Sequence, residues 1–215
     1  MITLYGMLAS GHVHKVMVAL RRRNLPFRRV EVSQMAGETR RPEFLAVNPM
    51  GKVPALRLGN GDVLTDSGAI LYYLAEGTPF WPDGRRDQAE VLRWMFFEQY
   101  QHEPTLAVLR YLRNYTPDPA AHAARIASLE PGARFALGVM EQRLASHDWL
   151  ALDRPSLADD ALYPYTATAP KSGIPLDGYP AIRAWIGRME NLPGAFPLGT
   201  DAAEVTEDFS THFRR

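Results

Sequence analysis

The sequence contains no cysteine among its 215 residues, which excludes structural disulfides, cysteine metal sites, dithiol redox chemistry and any nucleophilic thiol supplied by the protein itself. Net charge is missing as well: 24 basic side chains balance 24 acidic ones. No global field therefore draws in nucleic acid or an anionic membrane. No apolar run approaches the length of a membrane span, and Met1-Ile2-Thr3-Leu4-Tyr5-Gly6 shows no basic region followed by a long apolar stretch. On these absences the expected compartment is the cytoplasm, with neither a nucleic-acid nor a membrane partner. Internal repeats and low-complexity tracts are also lacking. The one dense basic cluster, Arg21-Arg22-Arg23, sits where a helix should end, and cations there complement the helix macrodipole.

What is present fits a packed globular chain with one large or two small domains, since 46% of residues are hydrophobic. Residues 2–5 read as a short strand. From Val13 the apolar residues Val13, Val16, Met17 and Leu20 recur at the spacing of an amphipathic helix, which Asn24-Leu25-Pro26 ends. Residues 27–32 alternate as a half-buried strand does, so that strand, helix and strand form a βαβ unit. A polar segment and a short helix over 42–47 follow. Two β-rich runs, 53–58 and 63–65, flank Asn60-Gly61, a hairpin signal because both residues tolerate positive φ. An apolar helical segment, 68–74, closes a β-α-β-α-β-β-α order within residues 1–77. Residues 78–86, rich in Pro, Gly and charge, read as a linker.

Beyond it, residues 87–215 read as helical. One segment covers about 87–115 and another 119–146, with Pro131-Gly132 expected to break or kink it. A third starts at Ser156, where Ser156 and Asp159 are spaced as a capping box. The last, 181–191, places Ile182, Trp185, Ile186 and Met189 on one face. The expected architecture is an α/β domain followed by an all-α domain.

Motifs make this more specific. Asn48-Pro49-Met50-Gly51-Lys52-Val53-Pro54-Ala55-Leu56 resembles the Asn-Pro-x-Gly-x-Val-Pro-x-Leu segment of cytosolic glutathione S-transferases, and Asp66-Ser67-x-Ala69-Ile70 is similar to their Glu/Asp-Ser-x-Ala-Ile motif. Arg154-Pro155-Ser156-Leu157-Ala158-Asp159 resembles the family's N-capping box, and Tyr179-Pro180-Ala181-Ile182-Arg183-Ala184-Trp185 its Tyr-Pro-x-Ile/Val-x-x-Trp segment. The resemblance spans residues 1–198 and comes nearest to a widespread bacterial branch. It implies a thioredoxin-like βαβαββα domain, 1–77, and a helical bundle, 87–215, that contributes the electrophile site. It also implies a homodimer, glutathione as co-substrate and no metal.

The resemblance further implies a cis proline at Pro54. Such a proline turns the backbone of Val53 outward, so that it pairs with an extended peptide as an added strand would. Glutathione is such a peptide. Ser67 and the N–H groups at a helix start receive the γ-glutamyl carboxylate, Asp66 its ammonium, and Lys52 the glycyl carboxylate. Taken one at a time, Ser67 reads more readily as an N-cap, Pro54 as an edge-strand proline and Lys52 as a solvated lysine. Their joint spacing across the hairpin favours a tripeptide-binding edge.

For chemistry, a thiol of pKa about 8.5 is only a few per cent ionised at neutral pH. Lowering that pKa by two units takes about 2.7 kcal/mol of anion stabilisation. The donor belongs between the first strand and first helix. There Ser10 aligns with the catalytic serine of the theta and delta classes, with helix capping as its plainer role. His12 replaces an asparagine of the bacterial branch, either as a donor to the thiolate or as a solvated histidine. Tyr5 matches the tyrosine of alpha, mu and pi enzymes but reads better as a packing residue. The mixed-disulfide route of omega-like and beta-like relatives needs a cysteine and is closed. Conjugation or peroxide reduction by bound glutathione stays open. Met7, Leu8, Tyr100, His102 and Tyr111 are candidates for the electrophile pocket, and a glutathione-binding protein with little turnover is the alternative. An interaction module is a third reading. Two departures from the family pattern, Asp160 and Pro164, put the packing of their helix in question.

Overall fold

The computed structural model describes residues 1–213. Among the described residues two compact units emerge, and the chain contributes to the first from both ends: residues 1–76 with 193–213, and residues 77–192. This corrects the expected boundary of the helical domain, because the final residues leave it.

The first unit holds β1 (Ile2–Tyr5), α1 (Gly11–Arg22), β2 (Phe27–Val30), α2 (Pro42–Leu45), β3 (Ala55–Arg57), β4 (Val63–Thr65) and α3 (Ser67–Ala75). The sheet runs in the order β4-β3-β1-β2-β5, with β5 (Val205–Glu207) at the edge. β1 and β2 are parallel, as the βαβ reading requires, while β3 is antiparallel to β1 and to β4. β5 pairs parallel to β2, with Arg29 opposite Thr206. Residues 205–207 were expected to be helical; instead they cover the edge of β2, satisfying backbone groups that would otherwise be exposed.

Local chemistry explains these elements. Ser10 caps α1, and Arg21 and Arg22 lie in its last turn. Arg23 donates to the Leu74 and Glu76 carbonyls at 2.7 and 3.0 Å. The basic cluster thus works at helix ends. In the hairpin only Gly61 takes positive φ, at 97°, and Asn60 instead accepts from the Asp62 N–H at 3.1 Å. A core of Tyr5, Val30, Val32, Phe44, Val47, Ala55 and Phe209 lies on one face of the sheet. The last of these belongs to α9 (Phe209–Phe213), contributed by the returning segment. Tyr5 is fully buried, its hydroxyl 3.2 Å from His212 Nε2 and its ring stacked on Phe213, which bears out its packing role.

The second unit contains α4 (Arg85–Phe97), α5 (Glu103–Asn114), α6 (Ala123–Leu144), α7 (Leu157–Ala167) and α8 (Pro180–Glu190). A π-helical turn, Glu98–His102, joins α4 to α5. α6 passes through Pro131 without a break. Both Pro131 and Ala127, whose carbonyl loses its helical partner, are exposed, so water can take that bond. α7 likewise continues through Pro164, and buried Thr168 donates from both N–H and hydroxyl to the Pro164 carbonyl, at 3.2 and 2.7 Å. Asp160 is buried, and its N–H donates to the Ser156 carbonyl at 3.3 Å.

The capping box is present and larger than expected. One oxygen of Asp159 accepts from the N–H and hydroxyl of Ser156 at 2.9 and 3.0 Å; the other accepts from Leu150 N–H at 3.1 Å and the Trp185 indole at 2.9 Å. Burial pushes the Asp159 carboxyl up to about 6, against these four donors. Among the described residues, no helix is long and apolar enough to cross a membrane and no group of three or more His, Asp or Glu could hold a metal ion.

Candidate functional site

The site residues of the first unit meet at one end of its sheet because the strand register puts them there. Tyr5 ends β1 opposite Ala55, which begins β3, and Ala55 faces Thr65, which ends β4. The loop after β1, the Val53-Pro54 pair before β3 and Asp66-Ser67 after β4 are therefore neighbours.

The loop after β1 starts at a glycine for a steric reason. A Cβ on Gly6 would lie 2.3 Å from a Val13 methyl, so no other residue lets α1 approach. Gly6 N–H donates to the Val30 carbonyl at 2.9 Å, and Ser10 N–H closes a turn onto the Met7 carbonyl at 3.0 Å. Ser10 is buried in an extended conformation, and its Oγ accepts from Val13 N–H at 3.4 Å. The capping role is therefore real. It uses an oxygen lone pair and leaves the hydroxyl proton for another acceptor. Met7 and Leu8 are half-buried.

His12 is not a solvated histidine. Its Nδ1 lies 3.1 Å from Ser67 Oγ and 3.3 Å from the Lys15 ammonium, which is almost fully buried. An ammonium only donates, so with Lys15 bonded to Nδ1 the neutral ring carries its proton on Nε2. Lys15 went unnoticed in the sequence because it lies among the apolar residues of α1, where a cation reads as an interruption.

At the second edge, the Val53-Pro54 bond is cis and Val53 is half-buried. Asn48 shapes the preceding loop, donating to the Lys52 carbonyl at 2.6 Å and accepting from Met50 N–H at 3.1 Å. Lys52 itself is exposed. Asp66, not Ser67, is the N-cap of α3: its Oδ1 accepts from Gly68 and Ala69 N–H at 2.8 and 3.2 Å. It holds φ 72° and ψ 127°, outside the left-handed well that non-glycine residues tolerate. Ser67 is the first residue of α3 and is buried.

In the second unit, Tyr100 is 80% exposed and Tyr111 42% exposed. His102 is fully buried and bonds through Nε2 to Thr166 Oγ1 at 2.8 Å within that unit.

The glutathione S-transferase N-terminal domain model matches residues 9–76, and the C-terminal domain model of the same family matches residues 106–193. The chain belongs to the glutathione S-transferase family. It is 34% identical to maize glutathione S-transferase 3 over 202 residues, 86% of each chain. It is 30% identical to the disulfide-bond oxidoreductase YfcG of Escherichia coli K12 over 200 residues, 90% of this chain and 92% of that one. A solved glutathione S-transferase from Xanthobacter autotrophicus Py2 superposes with a TM-score of 0.89 at 41% identity, covering 92% of this chain and 97% of that one. Family, fold and enzyme class thus agree with the sequence motifs: the chain is a glutathione S-transferase.

Proposed function

We propose that this transferase ionises the glutathione thiol at Ser10, assisted by His12, and delivers it to a small electrophile or a peroxide. The observation that carries the reading is the convergence of Ser10, His12 and Ser67 with Val53-Pro54 and Asp66 at one end of the sheet. In this reading the Val53 backbone pairs with the extended tripeptide. Ser67, the first residue of α3, takes the γ-glutamyl carboxylate, the N–H groups of Gly68 and Ala69 being bonded to Asp66. Asp66, with Oδ1 committed to its cap, uses Oδ2 for the ammonium. Exposed Lys52 pairs with the glycyl carboxylate.

The Ser10 hydroxyl donates to the thiolate while still capping α1, and the His12 Nε2–H adds a second donor. Met7 and Leu8 supply apolar surface for the electrophile. Because the protein has no cysteine, the thiol comes from the ligand. The chain acts in the cytoplasm as a homodimer, for which exposed Tyr72 and Tyr73 on α3 offer aromatic surface. Residues 1–77 are the glutathione domain, joined by 78–86 to the helical domain, with the C-terminal residues returned to the first.

The capping bond of Ser10 gives a second reading, a glutathione-binding protein with little turnover, its physical basis. Retention on immobilised glutathione combined with conjugation of an aryl halide separates the two. The expected result is retention by both wild type and Ser10→Ala, with conjugation reduced at least a hundredfold in the variant, the order seen when a single oxyanion donor is removed. Unchanged conjugation in Ser10→Ala would remove Ser10 from the chemistry, and retention without turnover in the wild type would favour the second reading.

A further inference from the structure

The returning C-terminal segment does more than cover the edge of β2. Asp201, four residues before β5, reaches Arg29 of β2 with one carboxylate oxygen, accepting from its Nε at 3.1 Å and its Nη2 at 2.6 Å. That oxygen also accepts from Thr206 Oγ1 at 2.7 Å, and Oδ1 accepts from Ala203 N–H at 3.1 Å, so the carboxylate is fixed from its own side. The Arg29 side chain is 3% exposed. Its remaining nitrogen, Nη1, donates to the Gly6 carbonyl at 2.9 Å and to Glu31 Oε2. Glu31 Oε2 in turn accepts from Leu8 N–H at 3.3 Å. Arg29 and Glu31 thus grip the loop at two backbone groups, Gly6 C=O and Leu8 N–H. Those groups flank Met7, whose carbonyl closes the turn onto Ser10 N–H.

A guanidinium is planar, so fixing two of its nitrogens on Asp201 fixes the direction of the third. We propose that Asp201 is a positioning residue for thiol activation: through Arg29 and Glu31 it holds the Gly6–Ser10 loop so that the Ser10 hydroxyl faces the bound sulfur. The proposal rests on the reading of Ser10 as the thiol donor. It assigns a catalytic consequence to a segment that lies far from the site in sequence. Without Asp201, Arg29 keeps only the Nη1 bonds to Gly6 and Glu31, its guanidinium plane is no longer fixed from the other side, and the loop keeps its covalent path but is held less firmly. A small displacement of a donor is enough to lower the rate by one or two orders of magnitude.

The test compares wild type, Asp201→Ala and Asp201→Glu. Three quantities are read: the pKa of the thiol of bound glutathione, by ultraviolet titration of the thiolate; kcat and KM for glutathione with an aryl halide; and Tm. Asp201→Ala is expected to raise the bound-thiol pKa by about one unit and to lower kcat about tenfold, with KM for glutathione within about twofold of wild type. Asp201→Glu is expected to recover part of both effects. A lower Tm with bound-thiol pKa and kcat unchanged would make Asp201 purely structural and overturn the proposal. A wild-type enzyme that shows no bound thiolate and no conjugation would instead overturn the reading of Ser10, and the two failures are read in different proteins.

Discussion

At the scale of single residues, the two titratable groups buried deepest in α1 behave in opposite ways. Lys15 finds an imidazole to donate to, whereas His14 is buried beside the Phe196 carbonyl, 2.8 Å from its Nε2. Burial pushes the His14 ring down to about 4, with the Phe196 carbonyl partly opposing and Arg22 and Lys15 adding to the fall. The unfolded chain, with its histidine near 6.5, binds the proton more readily than the native state between those values. Stability from neutral His14 is therefore complete above about pH 6.5 and is lost as the pH falls towards about 4. Between pH 7 and pH 5 the loss amounts to about 2 kcal/mol. His14→Gln keeps a donor for the Phe196 carbonyl without a titrating group. Urea unfolding of wild type and His14→Gln at both pH values should show the difference between them narrowing by about that amount on acidification. A difference independent of pH would mean that His14 does not titrate in this window.

At the scale of elements, α7 shows how a capping box becomes a structural hub. Asp159 was legible as a cap from its spacing to Ser156, but its second oxygen serves Leu150 and Trp185, which lie 9 positions before it and 26 after it. No local pattern encodes such contacts. Asp159→Asn replaces one acceptor by an amide that can only donate, and leaves one pair of donors facing it. Each unsatisfied buried donor costs about 1–3 kcal/mol, so the substitution should destabilise by about 3 kcal/mol or more. Far-UV circular dichroism during urea unfolding at pH 7 measures this directly. The sign of its pH dependence is also fixed: with a native pKa raised to about 6, the native wild type binds more protons than the unfolded chain between about pH 4 and 6. The wild-type contribution therefore weakens as the pH rises through that range. The cost of Asp159→Asn should shrink correspondingly. Pro131 and Pro164 teach the complementary lesson. Sequence rules mark both as helix breakers, yet α6 and α7 each continue through their proline, Pro131 at a position where the carbonyl that loses its donor, Ala127, is open to solvent.

At the scale of the whole molecule, the first unit is built from residues at opposite ends of the chain, and this is where sequence reading fell short. The βαβ unit, the hairpin and the helix start at Asp66 are local, and their periodicities and turn residues announced them. The site followed from them, since the register of three neighbouring strands gathers Ser10, Pro54 and Ser67. β5 is three residues long and pairs with β2 across more than 170 positions, so neither alternation nor a turn signals it. Phe209 carries the packing consequence: 3% exposed, it completes the core around Tyr5, Phe44 and Val30 and lies against Phe213 at 4.6 Å between ring centroids. Truncating a buried phenylalanine removes its transfer free energy and leaves a cavity, so Phe209→Ala should cost about 3–5 kcal/mol. The location of that loss is measurable separately from its size, because all four tryptophans, Trp81, Trp94, Trp149 and Trp185, belong to the second unit. Native-state hydrogen exchange at the amides of β1 and β2 reads the first unit, while tryptophan fluorescence reads the second. Phe209→Ala should accelerate exchange in β1 and β2 by at least a hundredfold, the factor that about 3 kcal/mol produces, while leaving the native tryptophan emission maximum unchanged. Exchange in β1 and β2 that stays at its wild-type rate would show that the sheet stands without its returning segment.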